Sequence, residues 1–459
     1  MWDSHDTELV LCALIAIGVV VGLVAWLKVH AFIALLLGAL TMGLLAGVDP
    51  PKLIESITEG AGSTLGSVGL VLALGTMLGK LLAESGGADR LAAAVLDRTG
   101  PQRIPWAMAL IAYIVGIPLF FEIGVVLLIP IIFVVARRVQ QSSAGERSGN
   151  AYLLVGLPAL AGLSVLHALL PPHPGPLIGI EALGADLGVT MLYGFAIAIP
   201  TVIIAGPVFA RFATHWAHAD PPQDLIDQVA KDTESDNPPS VPVVVFTILL
   251  PVAIMLLRTL ADVTLDEGDA LRDWADFIGD PIIALLIGVI VAMWTFGLSR
   301  GFSRAQLGSF MGESLAPAAA ILLIIGAGGA FKQVLIDSGI GDALGEAAES
   351  IDVSLLILGW LIAVLIRVAT GSATVAIVTA AGIMAPIVQS TGADVNLELL
   401  VLAIGSGSVF FSHVNDAGFW LINQYFGMSV ADTIKTWSIM ETIISVVGLV
   451  LVLVVDLLV

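Results

Sequence analysis

Two ionisable residues stand deep in apolar sequence: Glu122, within Leu119-Phe-Phe-Glu-Ile-Gly124, and Arg367, within Val364-Leu-Ile-Arg-Val-Ala-Thr370. A charge at the centre of a bilayer is costly, so such residues usually face a cavity and mark a pathway. Arg367 lies three residues before the break Thr370-Gly371-Ser372, after which Gly371-Ser372-Ala373-Thr374 is a half-helix start carrying two hydroxyls. The start of a half-helix there presents free N–H groups and the positive end of a dipole, which suits a carboxylate. A guanidinium beside it can clamp the same carboxylate through two parallel hydrogen bonds. Glu122 follows a second break, Gly116-Ile117-Pro118, and could carry a proton, since burial disfavours a bare carboxylate. The competing readings are a Glu122–Arg367 pair that holds the molecule together, and breaks that merely let helices pack closely.

Two polar clusters add to these. One is His167 followed by Pro171-Pro-His-Pro-Gly-Pro176, and the other is Ser406-Gly-Ser408 followed by Ser412-His-Val-Asn-Asp-Ala-Gly418. Prolines at this density cannot continue a helix, so 171–176 is expected to be a rigid non-helical turn. Histidine titrates near neutrality, and Asp416 beside Asn415 suits proton or hydroxyl recognition. His173, His413 and Asp416, clustered with helix breakers, are read as functional; His167, alone on an apolar run, is read as a packing residue. Trp26, Trp106, Trp294 and Trp437 lie near the ends of apolar runs and are read as interfacial anchors.

The elements that position these residues must lie in a membrane. Of 459 residues 58% are hydrophobic and 12% charged, against about 25% charged in an ordinary soluble domain. The chain is long enough for roughly a dozen crossings of about 20 residues. Apolar runs stand at 9–27, 31–48, 64–83, 104–136, 151–170, 188–213, 241–260, 281–299, 315–336, 353–388, 397–412 and 433–458. The acidic start, Met1–Glu8, is unlike the basic head of a cleaved signal peptide, so the first run is expected to remain as a membrane helix. No basic patch serves nucleic acid. The single cysteine, Cys12, allows neither an internal disulfide nor a cysteine metal cluster. Gly79-Lys80 lacks the P-loop pattern and HExxH is absent, which argues against direct ATP drive and zincin chemistry. No catalytic residue, metal or cofactor is expected.

An acidic, proline-bearing linker at 214–240 separates two membrane halves, 1–213 and 241–459. The halves look like repeats. Leu81-Leu-Ala-Glu-Ser-Gly86 matches Val334-Leu-Ile-Asp-Ser-Gly339 at a spacing of 253, and at that spacing Pro118 falls on Gly371. The runs 104–136 and 353–388 are each too long for one ordinary helix, and each contains a break. Arg90, Arg98 and Arg103 follow the first motif, whereas Asp342, Glu346, Glu349 and Asp352 follow the second. Cytoplasmic loops favour Lys and Arg, so equivalent loops of opposite bias imply opposite sides of the membrane. The expected fold is an all-α polytopic membrane protein of two inverted-topology repeats, with broken or re-entrant helices meeting at a midplane site. Much of the net charge of −20 then lies in the linker and in the acidic loops 262–280 and 337–352.

The blocks Gly69–Ala88, Leu119–Gly124, Leu170–Pro176, Arg367–Ala376 and Ser412–Trp420 occur in an order that resembles the gluconate:proton symporter (gluconate permease) family of the wider ion-transporter superfamily. The resemblance covers nearly the whole chain from about 55 to 445. It implies a many-helix symporter that imports gluconate or a related sugar or hydroxy acid into a prokaryotic cell across the plasma membrane. By analogy with the superfamily the site lies at the breaks Leu119–Gly124 and Thr370–Thr374, and Phe121 with Glu122 shares the pathway.

The expected roles follow. Arg367 and the hydroxyls of Ser372 and Thr374 bind the carboxylate; His173, His413, Asn415 and Asp416 meet the polyol; Thr370, Gly371 and Phe121 belong to the same substrate site; Glu122 or Asp416 carries the proton. The partners are a small organic anion and the lipid bilayer, with a homodimer admitted; the driving force is the proton gradient. The alternatives are a carrier of glycerate or D-serine, a sodium-coupled carrier, an anion channel, and an intramembrane metalloenzyme built from His167, His173, His413 and Asp416.

Overall fold

The computed structural model describes residues 4–97, 99–142, 150–222, 237–266, 269–340, 354–391, 395–414 and 416–459. Among these the regular structure is helical throughout. Among the described residues eight helices are long and apolar enough to cross a membrane, or nine if the pair Leu70–Glu84 and Gly87–Leu96, bent by 63°, counts as one span. That is fewer than the dozen crossings that length allows. Several apolar runs fold as helices too short to span: Ile104–Gly116 has 13 residues and Leu397–Ser408 has 12, about 20 Å against a hydrocarbon core of about 30 Å.

Both long runs are broken. The first divides into Ile104–Gly116 and Phe121–Ser142, the second into Leu355–Thr370 and Ala373–Thr391. Pro118 has no N–H to continue the ladder. Gly371 takes φ +76°, a left-handed turn that closes Leu355–Thr370, with its N–H on the Arg367 carbonyl at 2.9 Å. The order of elements then runs in parallel in the two halves. A buried helix follows each broken pair, Ala151–Leu169 or Leu397–Ser408. Next come a polar non-helical turn, a short helix (Pro174–Leu183 or Ala417–Tyr425), and a long helix to the end of the half.

Ala151–Leu169 is the centre of the core: all its residues except Leu154 and His167 are buried. The halves interlock where Arg304–Asp337 lies against Pro50–Thr64. The two backbones touch, because a Cβ on Gly60 would fall 2.4 Å from the Gly329 oxygen, and one on Gly329 would fall 2.3 Å from the Gly60 oxygen. Small residues permit such approach where no hydrophobic force draws helices together. Nearby, Lys332 Nζ stands 3.3 Å from Glu181 Oε1, and the Thr64 hydroxyl donates to Glu181 Oε2 at 3.2 Å.

Three local expectations change. The non-helical turn after Leu169 ends at His173, and Pro174 opens a helix, since proline at a first helical position forfeits no hydrogen bond. The acidic segment 262–280 contains a helix, Ala270–Gly279, that exposes Leu271, Trp274 and Phe277 while Asp276 pairs with Arg258 at 3.2 Å. The linker begins as packed structure: Asp220 N–H donates to the Phe426 carbonyl at 2.9 Å, and Asn150 Nδ2 donates to the Ala219 carbonyl at 2.7 Å. Its acidic stretch 223–236 lies outside the described residues, as do Asp342, Glu346, Glu349 and Asp352.

Candidate functional site

The two breaks meet at a cavity of ≈ 390 Å³. Its first wall comes from the N-terminal half: Phe120 and Phe121 at the break, Ser164 and His167 from Ala151–Leu169, and Pro174. Its second wall carries Arg367, Thr370, Gly371, Ser372, Ala373 and Thr374, with Asp416, Ala417 and Gly418. Trp437 and Glu441 close it from the last long helix.

Arg367 sits in the last turn of Leu355–Thr370, with its side chain 5% exposed and Nη2 at 2.5 Å from Asp416 Oδ2. Its Nε has no hydrogen-bond partner. Asp416 is an N-cap: its Oδ1 accepts from Gly418 N–H at 2.8 Å, and its Oδ2 also receives the Ser412 hydroxyl. Both carboxylate oxygens are thus committed. The partner described for Arg367 is Asp416; the competing reading, a Glu122–Arg367 pair, falls on a side chain outside the described residues.

Ser412 knits this corner to the last helix. Trp437 Nε1 donates to its hydroxyl oxygen at 2.7 Å, and the Ser438 hydroxyl donates to its carbonyl. Trp437 and Ser438 belong to a π-helical turn, Ile434–Ser438. Such turns insert a residue into a helix and often mark functional sites. Trp437 is 3% exposed, so it is a wall of the cavity and not an interfacial anchor; Trp26, Trp106 and Trp294 are exposed, as a belt requires.

The hydroxyls of the second break differ in what they offer. Thr370 donates to the Ile366 carbonyl at 2.8 Å, which uses its one hydrogen. Ser372 accepts from Val375 N–H at 3.3 Å, capping Ala373–Thr391, and its own hydrogen remains to be given. Opposite lies an aromatic floor: the Phe121 ring is 5.4 Å from Trp437 and 6.3 Å from His167.

The histidines exchange the roles expected of them. His167 lines the cavity, because the last turn of its helix aims it there. His173 is buried behind it, with Nε2 3.1 Å from the Gly116 carbonyl and its ring edge-on to His167 at 5.9 Å. His413 is not on the cavity lining; its Nε2 pairs with the Val368 carbonyl at 3.1 Å. Asn415 lies outside the described residues. The backbone of Glu122 lies in Phe121–Ser142, and its side chain is outside the described residues.

Glu441, overlooked in the sequence, is the most informative addition. It sits in the first turn of Ile439–Asp456, is 1% exposed and hydrogen-bonds Ser164, yet its Oε1 has no partner. Polar neighbours in Thr436-Trp-Ser-Ile-Met-Glu441-Thr442 make it look like a run end. Its place inside a 27-residue apolar span, Val430–Asp456, was the available signal.

The arrangement joins one guanidinium, two carboxyl groups, a free hydroxyl donor and an aromatic floor, which suits a small hydroxylated organic acid. Among the described residues no group of three His, Cys, Asp or Glu is gathered to hold a metal, and His413 is separated from the cavity.

Known permeases and transporters are similar to this chain over nearly its full length. The model of the GntP permease family matches residues 8–458. The chain is 51% identical to a gluconate permease of Pseudomonas aeruginosa, covering 99% of each chain. It is 47% identical to the high-affinity gluconate transporter of Escherichia coli, over 95% of this chain and 97% of that one. An L-idonate transporter of the Gnt-II system in Escherichia coli is 41% identical over 95% of this chain and 97% of its own length. Among solved structures the YdaH transporter of Alcanivorax borkumensis, whose topology is described as unusual, superposes with a TM-score of 0.59 at 17% identity, covering 99% of both chains. That likeness concerns the fold alone.

Proposed function

The chain belongs to the GntP family of permeases, and from that premise we propose that it imports gluconate or a close sugar acid by proton symport. It is a transporter, a multi-pass protein of the prokaryotic plasma membrane, and not an enzyme. The observation that carries the substrate reading is the meeting of Arg367, the Ser372-capped helix start and the Phe121 floor in one cavity.

The carboxylate of the substrate binds at the Arg367 Nε edge and the N-terminus of Ala373–Thr391, where the helix dipole and the Ser372 hydroxyl add to the guanidinium. Asp416 holds the guanidinium at Nη2, so that the fork is oriented before substrate arrives. Gly371 and Thr374 shape that wall, and Thr370 fixes the turn. The polyol lies toward Phe121 and His167; His173 orients His167 from behind. Alternating access comes from rocking of two inverted halves about the cavity.

Purified protein in proteoliposomes tests this. An inward proton gradient should drive accumulation of labelled gluconate, and a competition panel of idonate, glycerate and D-serine should rank the sugar acids first. Absence of gradient-driven uptake of any sugar acid, or accumulation that follows sodium and not pH, overturns the reading. Conductance without accumulation would favour a channel.

A further inference from the structure

We propose that Glu441 is the group that carries the coupled proton. The inference rests on the symport reading above and names the residue on which it depends.

Three observations place the proton there. Glu441 lines the same cavity as Arg367 and Asp416, so it senses the substrate directly. Its Oε1 is buried without a hydrogen-bond partner, and Ser164 is the polar side chain beside the carboxyl. Asp416, by contrast, has both oxygens filled by Arg367, Ser412 and the Gly418 N–H. A proton on Asp416 would disrupt the ion pair that orients the guanidinium. A proton on Glu441 breaks no hydrogen bond and supplies a donor where none exists.

The charges facing Glu441 turn this vacancy into coupling. Arg367 and Asp416 face it from Leu355–Thr370 and from the cap of Ala417–Tyr425, and His167 from Ala151–Leu169. Tyr152 of Ala151–Leu169, and Tyr193 and Glu398 of the other helices packed against it, do not line the cavity. With Arg367 cancelled by Asp416, an ionised Glu441 leaves the empty cavity net negative, which opposes an anion. Protonated, it leaves the cavity neutral and can donate to the substrate. Substrate anion and proton therefore favour each other's binding, and the linkage is reciprocal. The same reasoning explains why a carrier for an anion holds two acids and one base: the second acid is a requirement for a proton.

Glu441→Gln, which mimics the protonated carboxyl, tests the assignment in proteoliposomes. The expected result is loss of gradient-driven gluconate accumulation, with gluconate exchange between equal pools persisting and no longer responding to pH. Accumulation at the wild-type level in Glu441→Gln overturns the proposal. A second measurement uses the unaltered protein, so that a misfolded variant cannot obscure the answer. Dicyclohexylcarbodiimide, which attacks buried protonated carboxyls, should block uptake, label the peptide carrying Glu441, and do so more slowly with gluconate present. Block of uptake with no label on Glu441 overturns the proposal. Failure of the symport reading itself appears elsewhere, as absent gradient-driven uptake by the wild-type protein.

Discussion

The two helix breaks occupy matching places in the chain and have opposite chemistry. The first, at Gly116–Phe121, delivers Phe120 and Phe121, and its buried partner helix delivers Ser164 and His167. The second, at Thr370–Ala373, delivers Arg367, Ser372 and Thr374, and its partner turn delivers Asp416. The break itself is a device for ending a helix inside the protein, where backbone groups can be satisfied by neighbours. What it displays was free to diverge. A sugar acid has a charged head and a hydroxylated body, and a cavity with one ionic wall and one aromatic wall matches that asymmetry.

The largest test acts on the ionic wall. Arg367→Ala should abolish transport, with uptake efficiency down by at least about 100-fold, because both the clamp on the carboxylate and the partner of Asp416 are lost. It should also destabilise the fold by about 3–5 kcal/mol, the usual cost of leaving one member of a buried ion pair alone. Arg367→Met combined with Asp416→Leu removes both charges and should recover much of that stability without recovering uptake. Thermal unfolding in detergent and proteoliposome uptake read the two effects separately. Uptake near wild type in Arg367→Ala would reduce the second break to a packing feature and end the contrast between the walls.

The aromatic wall should respond more mildly. Phe121→Ala removes a ring packed against Trp437 and His167, a contact of about 0.5–1.5 kcal/mol beyond its buried area. The expected result is a rise in KM of about tenfold, equivalent to about 1.4 kcal/mol, with proton coupling intact. Loss of coupling with unchanged KM would show that the first wall governs the proton and not the substrate body.

Within the ionic wall two neighbouring hydroxyls should part company. Ser372→Ala removes the cap on Val375, worth about 1 kcal/mol, and a hydroxyl hydrogen free for substrate, so KM should rise about three- to fivefold. Thr370→Val removes a hydroxyl already satisfied by the Ile366 carbonyl, and its KM for gluconate should stay within about twofold of wild type. Equal effects would mean that the turn's shape matters and the donor does not.

Much of this was legible in the sequence for physical reasons. Pro118 and Gly371 interrupt runs of helix-forming apolar residues at a matching spacing, so the breaks are covalent facts before they are structural ones. Arg367 is conspicuous because few neighbours share its polarity. What was hidden depends on rotation about helix axes. His167 and His173 are six residues apart, and no periodicity across a proline-rich turn says which of them faces a cavity. Glu441 was hidden by its polar neighbours and by the π-helical turn Ile434–Ser438, which shifts the register of the helix after it, and Trp437 lies within that turn. Ala270–Gly279 was obscured by its acids, although its exposed Trp274 and Phe277 lie on one helical side.

His413 offers the smallest effect. In sequence it stands between Ser412 and Asp416, both of which belong to the corner that holds Arg367. In the fold its ring points away and bonds the Val368 carbonyl, one residue beyond Arg367. The turn therefore sends Ser412 and Asp416 to one side and His413 to the other, with Phe411 at φ +44° marking where the backbone is wrenched to do so. His413→Ala should lose one hydrogen bond of about 1 kcal/mol near the surface, and gluconate KM and the pH profile of uptake should each move by less than about twofold. A His413→Ala variant that shifts the pH profile as strongly as Glu441→Gln would place the proton on the outer side of this turn, and the comparison of the walls would have to include the Val368 backbone as part of the site.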